Sequence, residues 1–125
     1  MAIHESGENY LEQILMLSKT KDKVRAVDLS QALGFSRPTV SVMLRELREN
    51  GFVAVSREGG IALTAAGLAV AMRMYERHCL VSEVLMALGV SHETALEDAC
   101  KIEHDLSEET VACLHAFLKK ARGGG

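Results

Sequence analysis

The stretch from Ala26 to Asn50 constrains this chain more than any other. Asp28-Leu29-Ser30-Gln31-Ala32-Leu33 reads as a short helix with Leu29, Ala32 and Leu33 inward, and Gly34 supplies the turn that ends it. Ser36 is placed to cap a second helix, and Pro38 falls in its first turn, where a missing N–H removes no bond. Val40, Met43, Leu44 and Leu47 then recur at helical spacing. Helix, glycine-containing turn and second helix make a helix-turn-helix. The face left outward on the second helix carries Arg37, Pro38, Thr39, Ser41, Val42 and Arg45. At the start of a recognition helix, small hydroxyl and apolar side chains let the backbone approach base edges, while Arg reaches guanine or phosphate. Arg37, Thr39, Ser41 and Arg45 are therefore the expected groove contacts on double-stranded DNA, with Ser36 and Pro38 setting the approach. A solvated helix in an unrelated bundle stays open on this pattern alone.

The residues that follow extend the pattern. Phe52-Val53-Ala54-Val55 and Ile61-Ala62-Leu63 flank Ser56-Arg57-Glu58-Gly59-Gly60, two apolar runs around a glycine-rich turn, which is the signature of a β-hairpin. Directly behind a recognition helix such a hairpin is a wing, and Arg57 near its tip is available to a phosphate, as are Lys23 and Arg25. The net charge of −3 argues against a nucleic-acid binder until it is divided along the chain. Residues 1–74 hold nine Lys/Arg against eight Asp/Glu, whereas residues 75–125 hold five against nine. Between Lys19 and Arg48 seven basic residues face only three acidic ones, a local surface suited to phosphates. The acidic half is suited to cations.

Helical periodicity also appears before and after this core. Ser6 to Ser18 carries Tyr10, Leu11, Ile14, Leu15 and Leu17 as an apolar stripe, with Asn9 and Glu12 beside it in positions a solvated flank would occupy. Thr64 can cap a long helix from Ala65 to about Leu88. Its apolar residues Val70, Met74, Val81, Val84, Leu85 and Leu88 exceed what one small wing domain can bury, so part of that surface is expected to meet another subunit. Ser91 and Ser107 can cap two further helices, the last with Val111, Leu114, Phe117 and Leu118 as its stripe. The expected fold is mainly α: a winged helix-turn-helix domain over residues 1–72, an all-helical dimerisation domain over 73–122, and a disordered tail at 123–125.

One stretch of the acidic half carries chemistry. If Ala99 to Ser107 is helical, Cys100, Glu103 and His104 stand at i, i+3 and i+4 and share a face. A thiolate, a carboxylate and an imidazole together suit a borderline transition metal better than Ca(II) or Mg(II), which take oxygen. The same spacing also arises with Cys turned inward as a small hydrophobe and no ligand at all. Three widely separated cysteines, Cys79, Cys100 and Cys113, fit neither a disulfide framework nor a zinc knuckle. No run of about 18 apolar residues and no cleavable leader is present, so a cytoplasmic protein with no membrane partner is expected. No P-loop or dinucleotide fingerprint points to an organic cofactor.

In combination and order, several landmarks resemble the diphtheria toxin repressor and manganese transport regulator family of metal-activated bacterial repressors. They are Glu8-Asn9-Tyr10-Leu11-Glu12-Gln13-Ile14, Ser36-Arg37-Pro38-Thr39-Val40-Ser41, Leu63-Thr64-Ala65-Ala66-Gly67, Arg77-His78, and Asp98 through Ser107. The likeness runs from about Glu8 to Leu118. It implies a winged helix joined to a helical dimerisation domain, without the C-terminal SH3-like domain of some members, since this chain ends before one could begin. Residue by residue it implies a principal metal site of Cys100, Glu103 and His104 with the residue at position 9, and a second site of His78 and Glu12 with Glu103 bridging. Position 9 is Asn where the iron branch has Met and the manganese branch Asp. Position 100 is Cys as in the iron branch. Ser82 and Leu96 occupy positions where the iron branch's ancillary site would need Glu and His. With one thiolate and fewer carboxylates, Fe(II) is expected over Mn(II). His4, His92 and His115 match no ligand position.

The expected function is a homodimeric, metal-activated repressor of metal-ion homeostasis genes, not an enzyme, in which a divalent ion clamps helix 1 to the dimerisation domain. A winged-helix regulator with a degenerate metal site is the nearest rival, kept open by Asn9. A small metalloenzyme built on Cys100, Glu103 and His104 is a more distant one.

Overall fold

A computed structural model describes residues 5–123, and within them the chain forms six helices and one two-stranded hairpin. In order these are α1 (Glu5–Ser18), α2 (Ala26–Leu33), α3 (Arg37–Glu49), β1 (Val53–Val55), β2 (Ile61–Leu63), α4 (Ala65–Ala87), α5 (His92–Ile102) and α6 (Glu108–Gly123). The chain is mainly α, a winged helix-turn-helix followed by a helical part. It divides into two compact units, Met1–Arg73 and Met74–Gly125. The expectation for His4 lies outside the described residues.

The first unit closes around apolar residues from every element. Tyr10, Leu11 and Ile14 of α1, Leu29 of α2, Val40, Leu44 and Leu47 of α3, Val53 and Ile61 of the hairpin and Ala71 of α4 form one buried cluster. Tyr10 also stacks on Phe35, with ring centroids 6.1 Å apart. Helix α2 starts at Ala26, two residues before the expected Asp28. The reason is local: Arg25 is extended, and its backbone N–H donates to Asp28 Oδ2 at 2.8 Å, so Asp28 sits in the first turn and satisfies the residue before the helix. Ala32, expected inward, is exposed, and Leu29 alone is fully buried on this helix. Gly34 ends α2 at φ 75°, its N–H donating to Ser30 O at 2.9 Å. Ser36 caps α3, its Oγ accepting from Thr39 N–H.

Strands β1 and β2 pair antiparallel, Val53 with Leu63, Ala54 with Ala62 and Val55 with Ile61. Phe52, expected in the first strand, is outside it because its N–H donates to Leu47 O at 2.8 Å, which continues the end of α3 instead of the ladder. The chain before α2 is tied to the same hairpin: Ile61 N–H donates to Val24 O at 2.7 Å. Thr64 holds the exit into α4 from both sides, its Oγ1 donating to Gly51 O at 2.6 Å and accepting from Gly67 N–H at 3.2 Å.

In the second unit, Leu80 and Val84 of α4 and Leu118 of α6 form a buried cluster, with Val111 and Leu114 packed against it. Ser91 and Ser107 cap α5 and α6, accepting from Thr94 N–H and Thr110 N–H. Helix α5 does not run through the whole Ala99–Ser107 stretch as the spacing predicts. It ends at Ile102, and residues 103–105 form a turn in which Asp105 N–H donates to Ile102 O. Ser107, as the cap of α6, is itself outside any helix, so α5 and α6 are separate elements joined through this turn. At the other end α6 runs to Gly123, so the expected tail begins inside this helix; residues 124–125 lie outside the described residues.

Candidate nucleic-acid interface and candidate metal centre

In the first unit the expected DNA-contacting face is outward. Ser36, Arg37, Pro38, Thr39, Ser41, Val42 and Arg45 are all exposed, while Val40, Leu44 and Leu47 on the opposite side of α3 are buried. The Ser36 and Thr39 hydroxyls lie 2.9 Å apart, so both belong to the helix cap as well as to the face. Arg37 and Ser41 line a shallow cleft with Arg25, Ala26, Val27 and Gly59. Arg57 is exposed in the wing turn, which is closed by Gly60 N–H donating to Ser56 Oγ and Ser56 N–H donating to Gly60 O.

Lys23 and Arg25 have a role that their local sequence does not signal. Arg25 Nη1 donates to Glu58 O at 2.8 Å, and Lys23 Nζ lies 3.5 Å from Glu58 Oε2. Both reach the wing tip from more than thirty positions away, a separation that no local pattern encodes. Asp28 lies 3.3 Å from Lys21 Nζ. The hydrogen bond from Arg25 N–H, and then Lys21, hold its carboxyl below the ordinary value.

On α1, Asn9 is half-buried and Glu12 buried, so a solvated flank does not describe them. Glu8 beside them is also buried, its Oε2 lying 3.6 Å from Arg73 Nη2, and the sequence gives no sign of it beyond its place near the apolar stripe.

In the second unit three of the expected ligands come together. Glu103, the C-cap of α5, is fully buried. Its Oε2 lies 3.0 Å from His78 Nδ1 on α4, and its Oε1 lies 3.5 Å from Nε2 of His104, whose side chain is 1% exposed. Glu103 Oε1 accepts no hydrogen bond among the described residues. A buried carboxylate oxygen left in this state is costly without a cation. A carboxylate flanked by two imidazoles fits a divalent transition metal, which takes mixed N and O donors. Cys100 is exposed on α5. Glu103 keeps helical φ and ψ as the C-cap, its N–H donating to Ala99 O, and α5 itself ends one residue earlier at Ile102.

Ser82 is buried with its hydroxyl donating to Cys79 O, and Leu96 stands partly exposed, so neither adds a carboxylate or imidazole. His92 and His115 are exposed. Among the described residues no helix is long and apolar enough to cross a membrane.

A winged helix-turn-helix followed by a helical unit with a buried carboxylate between two imidazoles defines a DNA-binding regulator with a candidate metal centre. Residues 2–61 match the family described as "Iron dependent repressor, N-terminal DNA binding domain", and residues 64–122 match "Iron dependent repressor, metal binding and dimerisation domain". The chain belongs to this family of metal-dependent transcriptional repressors, which are not enzymes.

It is 39% identical to the transcriptional regulator MntR of Escherichia coli over 90% of this chain and 73% of that protein. It is 32% identical to the HTH-type transcriptional regulator MntR of Bacillus subtilis over 85% of this chain and 75% of that one. Among solved structures it is similar to a "Manganese-dependent transcriptional repressor complex with manganese", with a TM-score of 0.84 and 31% identity over 90% of this chain and 52% of that one. It is also similar to the manganese regulator SloR, with a TM-score of 0.81 and 29% identity over 95% of this chain and 55% of that one. The chain thus spans about half the length of these solved relatives. The expected preference for Fe(II) over Mn(II) finds no support in them.

Proposed function

We propose that this chain is a Mn(II)-activated, homodimeric repressor that binds operator DNA and controls metal-ion homeostasis. The observation that carries the reading is the buried Glu103 carboxylate, with one oxygen accepting no hydrogen bond among the described residues and imidazoles on either side, in a chain whose other unit is a winged helix-turn-helix. Mn(II) is preferred because those donors are oxygen and nitrogen, because the thiol that favoured Fe(II) is exposed, and because the similar proteins include named manganese regulators.

His78, Glu103 and His104 would hold the ion, with Glu12 and Asn9 of α1 completing the set. A bound divalent ion would supply positive charge that neutralises the Glu103 carboxylate. Were Asn9 and Glu12 to share that ion with Glu103, as the family resemblance implies, metal would favour one DNA-competent arrangement over others. In a homodimer that arrangement sets two α3 helices about one DNA turn apart, roughly 34 Å. Arg37, Thr39, Ser41 and Arg45 reach base edges, Ser36 and Pro38 set the approach, and Arg57 meets a phosphate. Metal and DNA affinities are coupled reciprocally, typically by about 1 to 3 kcal/mol.

The test is titration of binding to a duplex selected from a random pool, with Mn(II), Fe(II) or Zn(II) added anaerobically, and with a chelator. Mn(II) is expected to tighten binding most. A wild-type affinity that is the same in chelator overturns the metal-activated reading and leaves a metal-independent regulator. Stronger activation by Fe(II), lost in Cys100→Ser, would restore the thiolate ligand and the iron assignment.

A further inference from the structure

We propose that Arg77 is a positioning residue for the metal centre, setting the conformation of the turn that presents Glu103 and His104. The proposal rests on the metal-binding reading above.

Arg77 is 7% exposed and precedes His78 on α4. Among the described residues its guanidinium meets no buried carboxylate, the usual partner of a buried charge. Nη1 donates to Leu106 O at 2.8 Å and to Glu103 O at 3.3 Å, and Nη2 donates to Glu108 Oε1 at 2.7 Å. The Glu108 side chain is 81% exposed, so the buried end of Arg77 is committed mainly to main chain. The carbonyls it takes belong to the turn that follows α5, where the helix has left acceptors without partners and where the dipole favours a cation.

Two neighbours on α4 therefore grip the same residue from different sides. Arg77 holds the carbonyl of Glu103, and His78 faces its carboxylate at 3.0 Å. The first contact sets where the backbone of the turn lies, and the second meets the group that the backbone delivers. Glu108 opens α6, so the third bond ties the far end of the turn as well. A ligand set must be held to within about 0.5 Å of its productive geometry, and outer contacts of this kind supply that precision. Lysine cannot replace the fork, because a single ammonium cannot span two carbonyls and a carboxylate in fixed directions.

The experiment is calorimetric titration of the whole chain with Mn(II) alone, with thermal melting in chelator run alongside. The variants are Arg77→Lys, Glu108→Gln and, as the ligand control, Glu103→Gln. Arg77→Lys is expected to weaken Mn(II) binding by about 10- to 100-fold, the cost of losing a contact behind a metal ligand. Glu108→Gln is expected to weaken it by about threefold, in line with one weakened hydrogen bond. The low-temperature resonance spectrum of bound Mn(II) should broaden in Arg77→Lys as the ligands lose a single arrangement, a change that loss of fold stability alone would not produce.

Arg77→Lys that folds and binds Mn(II) with wild-type affinity and spectrum overturns the proposal. If Arg77→Lys does not fold, Glu108→Gln decides: wild-type affinity and spectrum there overturn it equally. Should Glu103→Gln retain wild-type binding, the metal-binding reading itself fails, which is a separate result.

Discussion

His78 on α4 and Glu103 at the end of α5 stand 3.0 Å apart, Nδ1 to Oε2, although twenty-five positions separate them in the chain. The second oxygen of the same carboxylate accepts no hydrogen bond among the described residues. Without a cation the fold therefore carries a buried, incompletely satisfied charge. Glu103→Gln removes that charge while keeping the shape, so its melting temperature in chelator should equal or exceed that of the wild type. The gain on adding Mn(II) should vanish; for the wild type it amounts to about 2.7 kcal/mol when the ion is about a hundredfold above its dissociation constant. Melting curves with Mn(II) and with chelator check both halves, and a metal-induced rise that survives in Glu103→Gln would remove this carboxylate from the site.

Gly67 lies where the hairpin meets the first turn of α4, and a Cβ there would sit 2.0 Å from Phe52 O and 3.0 Å from Phe52 C. The colliding atoms are backbone, and Phe52 O already accepts from Thr64 N–H at 3.1 Å, so no side chain can yield to make room. Gly67→Ala should destabilise the first unit by about 3 kcal/mol or more, by forcing backbone apart in a packed region. Urea denaturation reads this as a lower midpoint, and an unchanged midpoint would mean that the wing moves off α4 freely.

Arg37 opens α3 on the exposed face, beside Ser41 and the cleft shared with Arg25 and Gly59. As a base contact its loss costs about 1 to 3 kcal/mol on a selected duplex and little on random DNA. Arg37→Ala should therefore shrink the ratio of the two affinities at fixed salt. An equal loss on both duplexes, with a shallower salt dependence, would reassign it to a phosphate.

Asp28 titrates below its ordinary 3.8, chiefly because its carboxylate accepts from Arg25 N–H and secondarily because Lys21 is near. A depressed carboxyl stabilises the fold above its unfolded value, and that contribution is lost as pH falls through the folded value. The melting-temperature gap between wild type and Asp28→Asn should thus be constant near neutrality and close as pH drops below 3.8. A gap that persists in acid would mean that the side chain's shape matters and its charge does not.

Much of the first unit is legible in the chain because its signals are local. Gly34, Ser36 and Pro38 punctuate two helices within a few positions: Gly34 and Ser36 through bonds to residues three or four away, and Pro38 through its fixed φ in the first turn, where no N–H is needed. The same holds for Thr64, Ser91 and Ser107, which cap the later helices where their sequence neighbours predict. Where local signals compete, the reading slips. Helical spacing continues through Glu103 and His104, yet α5 ends at Ile102, a few residues ahead of Ser107, which caps α6.

The sequence by itself determined the helix-turn-helix and the wing, since both rest on spacing and on near-neighbour bonding, and through its resemblance to known repressors it pointed to the family and to the residues available to a metal. Only the tertiary structure decided which of those donors are buried together. Glu103 is enclosed and meets His78 and His104, Cys100 on the same stretch is exposed, and Arg77 holds the turn between α5 and α6. The physical reason is that burial and charge pairing depend on which helix faces which. That is set by packing between residues some twenty-five positions apart, which no periodicity within either helix encodes.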